Sequence, residues 1–182
     1  KDTIEIILQR VVGAQLENLE KEVLVVDDGS YDGTKEILQG MQKNWASAPV
    51  QVFFHPQNQG KGAAVSTALS QVTGDIVIIQ DADLEYDPRD YPTLIRPIEE
   101  GRVKVVYGSR FLGPRKDMLF WHMLGNQFLT LVTNILYDST LSDMETCYKV
   151  FRADVLKKIR LRENRFGFEP EFTAKVARAR CR

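Results

Sequence analysis

Short apolar runs alternate with amphipathic stretches along the chain, and this alternation predicts the fold. Four runs of mainly apolar residues predict buried strands, at 22–27, 50–54, 75–80 and 104–107. The stretches that follow carry helix-starting residues or helical spacing and predict helices at 34–42, 63–72 and 87–101. Strands and helices that alternate with short connections predict an α/β fold: a mostly parallel, Rossmann-like sheet with helices on both faces, in a single domain spanning 1–182.

The two ends of the chain extend this pattern. Apolar residues at Ile4, Ile7, Leu8 and Val11 form a helical stripe. An α/β domain that starts on a helix lacks the strand that would seed its sheet, so we expect a first strand to be missing from this sequence. Residues 121–137 predict a largely apolar helix, and the tail from about 153 is predicted to be helical and basic.

Composition narrows the class of protein. The 182 residues are 43% hydrophobic and 27% charged with a formal net charge of −1, which suits a soluble globular domain with a sizeable core. A net charge near zero gives no general attraction to nucleic acid. Cys147 and Cys181 show no metal-binding or disulfide spacing, and we expect a reducing compartment.

The third predicted strand ends in a group of acids, Asp81, Asp83 and Glu85. Ligands of open α/β sheets bind beyond the carboxyl ends of strands. Neighbouring carboxylates resist joint ionisation unless a cation neutralises them. A divalent ion shared with the phosphates of a ligand would do so. A solvated turn rich in Asp is the alternative interpretation at this point.

Two further polar segments also follow strand ends: Asp27-Asp28-Gly29-Ser30 and Asn58-Gln59-Gly60-Lys61-Gly62. Downstream lie Gly108-Ser109-Arg110-Phe111, the run from Asp143 to Arg152, and Arg165-Phe-Gly-Phe-Glu-Pro-Glu171. Together and in this order, the motifs resemble those of the inverting family 2 glycosyltransferases with the GT-A fold. Within that family they look like the polyprenyl-phosphate hexosyltransferases, and the resemblance covers nearly the whole chain.

The resemblance implies a donor site. Asp27 and Asp28 match acids that contact the base and ribose of a nucleotide sugar, and Gly60 and Lys61 match a loop at the base or diphosphate. The acidic segment matches the family's metal site, in which Mg²⁺ or Mn²⁺ is bound by Asp81, Asp83 and Glu85 and bridges the diphosphate. Asp81 thereby joins the donor site, and Asp83 is the ligand expected to matter most for catalysis. The alternatives are a turn cap for the two aspartates and an exposed loop residue for Lys61.

The resemblance also implies an acceptor site. Arg110 matches a residue that binds the acceptor phosphate, and Lys149 and Arg152 are candidates for the same site or, alternatively, plain surface charges. Asp143 and Glu145 stand where relatives with hydroxyl acceptors keep a catalytic base. A phosphate monoester is already ionised near neutral pH, so Asp143 could instead position the substrates. His55 and His122 are interpreted as structural residues.

Three functions are therefore considered. The first is transfer of mannose or glucose from a nucleotide sugar to a polyprenyl or dolichyl monophosphate, with inversion, at the cytosolic face of a membrane. The second is transfer to a hydroxyl group of a polysaccharide or protein, which needs a base. The third is a non-catalytic module that binds nucleotide sugars. The sequence leaves the donor nucleotide, the sugar and the oligomeric state open.

Overall fold

The computed structural model describes residues 1–44, 50–112 and 119–181. The five strands are β1 (Val23–Asp27), β2 (Val50–Phe54), β3 (Ile76–Ile78), β4 (Val105–Tyr107) and β5 (Lys149–Arg152). The six α-helices are α1 (Ile4–Gly13), α2 (Thr34–Asn44), α3 (Lys61–Leu69), α4 (Tyr91–Glu99), α5 (Phe120–Tyr137) and α6 (Phe168–Arg178). Two 3₁₀ helices cover Pro88–Asp90 and Ala153–Lys157. The predicted α/β class is confirmed.

The chain forms two compact units. Unit 1 comprises Lys1–Gly74, Asp81–Thr93 and Arg162–Phe166. Unit 2 comprises Asp75–Gln80, Leu94–Leu161 and Gly167–Arg182. That the whole of 1–182 acts as one catalytic domain remains a prediction.

Unit 1 contains the parallel pair of strands that the sequence predicts. β1 and β2 run in register from the Val23–Val50 pair to the Asp27–Phe54 pair, so both strands end at the same edge. The apolar stripe of α1 is buried, as its helical spacing predicts. The residues that follow the two strands, Asp28 and His55, therefore begin their loops side by side.

Unit 2 is built on a three-stranded antiparallel sheet in the order β3-β5-β4. Ile78 pairs with Val150 on one side, and Val106 pairs with Val150 on the other. The central strand, β5, was not predicted, because four residues with charged ends give little periodic signal. Its antiparallel direction makes the β-structure mixed, with one parallel pair in unit 1 and antiparallel pairs in unit 2.

Aromatic side chains form the core of unit 2. Phe151 and Phe172 are fully buried, and their ring centroids lie 4.9 Å apart. Phe168 lies 5.8 Å from Phe172 and Tyr107 lies 6.5 Å from it, both in tilted arrangements. Burial of one such side chain contributes about 2–3 kcal/mol. The cluster fixes β4, β5 and α6 together, and with them the loops that carry the charged residues of this unit.

Helix α5 is exposed along most of its length. Only Thr130 and Thr133 are buried in it, whereas Trp121 is 76% exposed and Phe128 62% exposed. Among the described residues, no helix is long and apolar enough to cross a membrane. The predicted helical tail is interrupted: residues 158–167 contain no helix, and α6 starts only at Phe168.

Candidate functional site

The loops that follow β1 and β2 touch each other in unit 1. Gly29 has a φ of +73°, and a Cβ there would lie 2.6 Å from the carbonyl carbon of Gln57 and 2.7 Å from the amide nitrogen of Asn58. A side chain is therefore excluded at this position. The Asp-Asp-Gly-Ser motif needs its glycine because the backbone of the second loop lies directly against the first.

Asp28 joins the two loops. Its Oδ1 accepts hydrogen bonds from His55 Nδ1 at 2.6 Å and from the Gln59 amide at 3.0 Å, and its Oδ2 accepts from the Gly60 amide at 2.7 Å. Burial by itself raises the pKa of Asp28, but the hydrogen bonds from Gln59, His55 and Gly60 outweigh it, and the net pKa is lowered. His55 Nε2 lies 2.8 Å from Thr67 Oγ1 in α3.

Asp27, the neighbouring acid, is buried at the end of β1. Its Oδ2 accepts a long hydrogen bond from the Ser30 amide at 3.4 Å, and its carbonyl oxygen accepts from the His55 amide at 2.9 Å. Asp27 therefore holds the start of the Asp-Asp-Gly-Ser turn. Its predicted contact with a nucleotide remains a prediction.

Lys61 and Asp81 form an ion pair, with Nζ and Oδ2 2.7 Å apart and both side chains partly exposed. Lys61 reaches the acidic segment from the glycine loop. Gly60, Lys61 and Asp81 are thus brought together as predicted. The backbone of Asn164 covers this loop, since its carbonyl oxygen contacts the position of a Cβ on Gly60 and accepts from the Ala63 amide at 3.0 Å.

The acidic segment forms a tight turn in unit 1. Asp83 accepts a hydrogen bond from the Glu85 amide at 2.8 Å, and Leu84 between them has a φ of +63°. A bulky residue in the left-handed region is strained, and such strain concentrates at functional sites. Within the described part of the chain, no three His, Cys, Asp or Glu side chains come together to hold a metal ion.

The predicted set of three protein ligands, Asp81, Asp83 and Glu85, is not assembled among the described residues and remains a prediction. Asp81 is paired with Lys61, Asp83 folds onto the backbone, and Glu85 is exposed. Carboxylate oxygens still fit Mg²⁺ or Mn²⁺, because a Mg²⁺ ion is commonly held by one or two carboxylates together with substrate phosphates and water. The residues present therefore fit an ion shared with a ligand and do not fit a closed protein cage.

The charged residues of the downstream motifs lie in unit 2, where Arg110 and Asp143 form a buried pair. Arg110 donates to Asp143 from Nε at 2.8 Å, from Nη2 at 2.9 Å and from its backbone amide at 3.1 Å. The side chain of Asp143 has no exposed surface and that of Arg110 is 16% exposed. A two-point interaction of this kind fixes the guanidinium plane.

The other two predicted phosphate ligands lie at the two ends of β5. Lys149 is fully buried; its Nζ donates to the carbonyl oxygens of Met144, at 3.2 Å, and Thr146, and lies 5.4 Å from the centre of the Tyr107 ring. Arg152 lies at the opposite end of β5, and its Nε lies 3.4 Å from Asp154 Oδ1. Lys149 and Arg152 are separated by three steps along β5, about 10 Å, and their role at the acceptor phosphate remains a prediction.

Glu145 is a carboxyl group of unit 2 whose pKa is raised. Partial burial raises the pKa of Glu145, the neighbouring Glu169 adds to the rise, and Lys149 and Arg110 oppose it. Glu169 is itself buried at the start of α6. A half-buried carboxyl with a raised pKa can take up a proton more readily than an ordinary glutamate.

The sequence missed two features of these sites. His55 was interpreted as structural, although its position directly after β2 predicts a place beside the loop after β1. Residues 162–166 were not expected at the glycine loop, and nothing in their local pattern indicates that contact. The second feature depends on tertiary packing, which a single sequence does not reveal.

Comparison with known proteins identifies the family. Residues 1–160 match the model of glycosyl transferase family 2, and the chain belongs to that family. It is thereby a member of a family of glycosyltransferases.

Three curated relatives show comparable identity. The chain is 29% identical over 175 residues to an uncharacterized protein, MJ1222, of Methanocaldococcus jannaschii, covering 90% of the chain and 69% of the relative. It is 28% identical to a dolichol-phosphate mannosyltransferase of Pyrococcus furiosus, covering 93% and 47%. It is 29% identical to a UDP-N-acetylglucosamine–dolichyl-phosphate N-acetylglucosaminyltransferase of Methanococcus voltae, covering 79% and 64%. The chain thus spans about half to two thirds of these relatives.

Solved structures confirm the GT-A-like fold. The glucosyl-3-phosphoglycerate synthase of Mycobacterium tuberculosis in complex with phosphoglyceric acid superposes with a TM-score of 0.69 at 20% identity, covering 98% of this chain and 62% of that one. The same synthase with Mn²⁺, uridine diphosphate and glucosyl-3-phosphoglycerate superposes equally well at 19% identity. At this identity the likeness concerns the fold alone.

Proposed function

We propose that this protein transfers a hexose from a nucleotide sugar to a polyprenyl or dolichyl monophosphate, with inversion at the anomeric carbon. The observation that carries the proposal is the Lys61–Asp81 pair beside Gly60 in unit 1, which puts a cation and a carboxylate next to one glycine loop. A nucleoside diphosphate needs a cation at its phosphates, and Lys61 places one at this loop. The dolichyl-phosphate substrates in the names of two relatives support the acceptor.

The acidic turn suits a metal ion at the donor. Asp81 and Asp83 would hold Mg²⁺ or Mn²⁺ together with the donor phosphates. The bound ion would supply Lewis-acid stabilisation of the diphosphate as it leaves. The Mn²⁺ and uridine diphosphate named with the structurally similar synthase are consistent with this assignment.

The acceptor reacts by direct attack in this proposal. A phosphate oxygen of the lipid forms a bond to the anomeric carbon, while the bond from that carbon to the donor's β-phosphate oxygen breaks and its electron pair leaves with the nucleoside diphosphate. One in-line displacement inverts the configuration. No proton has to leave the nucleophile near neutral pH, because the phosphate monoester is already ionised.

Arg110 is the residue that we assign to the acceptor phosphate. Its guanidinium plane is fixed by Asp143, whose carboxylate accepts three hydrogen bonds from it. Asp143 is therefore assigned to positioning Arg110, and its engagement with that residue argues against a role as general base. Lys149 supports the interior of unit 2, and Arg152 is left out of the acceptor site.

A hydroxyl acceptor is the second candidate, because Glu145 offers a possible base. Its raised pKa and partial exposure are the properties that a proton acceptor near neutral pH needs. In that reaction Glu145, rather than Asp143, takes the proton of the attacking hydroxyl. The two reactions differ in whether they require a carboxylate as a general base.

A membrane surface is the proposed place of the reaction, at its cytoplasmic face. The support is α5, a helix without Lys, Arg, Asp or Glu that exposes Trp121, Phe128 and Ile135. Aromatic and aliphatic side chains on an uncharged helix face suit the boundary between headgroups and acyl chains. A polyprenyl phosphate presents its phosphate at that same depth.

The test is a matrix of donors and acceptors. Purified protein is incubated with radiolabelled GDP-mannose, UDP-glucose or UDP-N-acetylglucosamine, with a short polyprenyl phosphate or an oligosaccharide, and the label is counted in lipid and aqueous phases. Metal-dependent transfer into the lipid phase supports the proposal. Transfer only to the oligosaccharide supports the second candidate, and binding of a donor without any transfer supports a non-catalytic module.

A pair of variants tests the metal ligand. Asp83 and Asp87 each accept a hydrogen bond from the amide two residues on, at 2.8 Å and 3.0 Å. If Asp83 serves only its turn, Asp83→Asn and Asp87→Asn should have similar small effects on transfer. If Asp83 binds the metal, only Asp83→Asn should lower the rate, by about 100-fold or more. Equal rates for the two variants would remove Asp83 from the metal site.

A further inference from the structure

His55 is held between two partners in unit 1. Its Nδ1 lies 2.6 Å from Oδ1 of Asp28, and its Nε2 lies 2.8 Å from Oγ1 of Thr67 in α3. The side chains of His55 and Asp28 are both largely buried. With Asp28 ionised, Nδ1 donates its proton to the carboxylate and Nε2 faces the Thr67 hydroxyl. Because both ring nitrogens are engaged, the orientation of the imidazole is fixed.

His55 adds a side-chain donor to the carboxylate of Asp28. The other donors are backbone amides of the glycine loop, from Gln59 at 3.0 Å and from Gly60 at 2.7 Å. Burial raises the pKa of Asp28, but the hydrogen bonds from Gln59, His55 and Gly60 outweigh it, and the net pKa is lowered. Asp28 is therefore an ionised acceptor near neutral pH, and His55 holds one of its two oxygens.

The place of Asp28 in the fold suits a contact with a ligand. Asp28 follows β1 and His55 follows β2, two parallel strands that end in register at the Asp27–Phe54 pair. Ligands of open α/β sheets bind beyond the carboxyl ends of strands. By the resemblance, Asp28 matches an acid that contacts the base or ribose of a nucleotide sugar, whose N–H and O–H groups donate to a carboxylate. Such a contact needs one fixed orientation of the carboxylate, because hydrogen bonds weaken steeply with angle.

We infer that His55 is a positioning residue for the donor nucleoside: anchored to Thr67, it holds Oδ1 of Asp28 and fixes the orientation in which Asp28 meets the nucleoside. Asp28 makes the contact, and His55 acts through it. The diphosphate is assigned to Lys61, which is paired with Asp81. This inference deepens the proposed function and rests on its donor half, because a nucleotide sugar is the donor proposed there.

The experiment compares three replacements of His55. The side-chain amide nitrogen of asparagine overlies Nδ1 of histidine, that of glutamine overlies Nε2, and leucine offers neither. Dissociation constants of uridine, guanosine and inorganic pyrophosphate with Mg²⁺ are measured by ligand-detected NMR. For the nucleoside that wild type binds, His55→Leu and His55→Gln should raise the constant about 10-fold, the effect of one charge-assisted hydrogen bond, and His55→Asn should stay within about twofold. Pyrophosphate should bind equally to all four proteins.

The pattern across the variants separates positioning from general support of the loops. Equal weakening of nucleoside binding in all three variants, or a parallel loss of pyrophosphate binding, would mean that His55 only holds the loops together, and the inference would fail. Unchanged nucleoside binding in His55→Leu would overturn it as well.

Glu22 provides the matched control. In the same unit it accepts hydrogen bonds from the Thr73 amide at 2.8 Å, the Thr73 hydroxyl at 2.9 Å and the Gly74 amide at 2.8 Å. Glu22→Gln disturbs a comparable set of hydrogen bonds away from His55, and it should leave all three constants unchanged. A loss of nucleoside binding in Glu22→Gln as well would show that loosening of unit 1 explains the effect, and the inference would fail.

Thr67→Val keeps the test decisive if the His55 variants do not fold. It preserves the size of the side chain but removes the hydroxyl 2.8 Å from Nε2, so nucleoside binding should weaken about 3- to 10-fold and pyrophosphate binding should not. Nucleoside constants equal to those of wild type would contradict the inference. If wild type binds a nucleoside but transfers no sugar to polyprenyl phosphate, the proposed transfer fails and the inference stands. If wild type binds none of the probes, both fail.

Discussion

The buried pair of Arg110 and Asp143 leads to the sharpest prediction about stability. Asp143→Asn preserves the shape of the side chain but removes its charge and turns one acceptor oxygen into a donor. The amide group then faces Nη2 of Arg110, which donates at 2.9 Å in the native protein. A buried guanidinium is left without its counter-charge, because Asp143 is fully buried and Arg110 is 16% exposed.

The magnitude follows from this burial. Removing one partner of a buried ion pair costs about 3–5 kcal/mol, since the remaining charge stays desolvated. For a chain of 182 residues, 1 kcal/mol corresponds to about 2–4 °C in melting temperature. Asp143→Asn should therefore melt about 6–20 °C below wild type, as measured by calorimetry or circular dichroism.

An exposed ion pair in the same unit provides the control. Arg102 and Glu100 lie 2.6 Å apart with side chains 61% and 47% exposed. Such a pair contributes about 0–1 kcal/mol, so Glu100→Gln should lower the melting temperature by less than about 4 °C. If Asp143→Asn melts within that same small interval, the claim that the pair is a buried constraint on Arg110 is refuted.

A double substitution tests whether the loss of stability comes from leaving one charge of the pair unpaired. Arg110→Met combined with Asp143→Leu removes both charges and should recover most of the lost stability, because apolar residues replace buried ion pairs without large cost. The coupling energy from the full cycle should exceed about 2 kcal/mol. Transfer activity should stay low in the double variant, since the residue assigned to the acceptor phosphate is absent.

Three further predictions use other features. Gly62→Ala should lower stability by about 1–3 kcal/mol in urea denaturation, because its Cβ meets the backbone that covers the glycine loop, whereas Gly40→Ala, with open space in a helix, should not. Trp121→Glu should lower the fraction of protein that sediments with anionic vesicles. Tyr31→Glu, at a fully exposed position, should leave that fraction unchanged. A raised pKa favours the neutral form of Glu145 in the fold, so the free energy of unfolding falls as pH rises from the ordinary pKa through the raised one. Glu145→Gln should therefore be more stable than wild type at pH 7 and equally stable near pH 4, and a pH-independent difference would contradict this.

The sequence predicted most elements of the fold, because their signals are local. The helical stripe of α1 is buried, as its spacing predicts. The largely apolar α5 is mostly exposed, which its composition does not predict. The strand β5 lacks such a signal. It is four residues long, and its buried Lys149 reads as a surface residue until the carbonyl oxygens that it contacts are known.

The sequence predicted part of the grouping of the candidate site residues. Loops after parallel strands meet at one sheet edge, so Asp28 and Gly60 could be grouped from their positions after β1 and β2. The Lys61–Asp81 pair does not follow from this rule, because Asp81 comes after β3, which belongs to the other sheet. Nearness in sequence does not bring Lys149 and Arg152 together. Residues three apart in a strand point to opposite faces as well as lying at opposite ends, and only the register of β5 separates them.

The segment Arg162–Phe166, which lies in unit 1 although most of its neighbours in sequence belong to unit 2, has a consequence for the order of folding. β1 and β2 are close in sequence and can pair early, while the chain is still being synthesised. Asn164, which covers the glycine loop, is synthesised more than a hundred residues after that loop. At ordinary rates of translation this delay is about 5–20 s. A ribosome-bound chain that ends before 162 should therefore pair its first two strands yet leave the amide of Ala63 open to rapid hydrogen exchange.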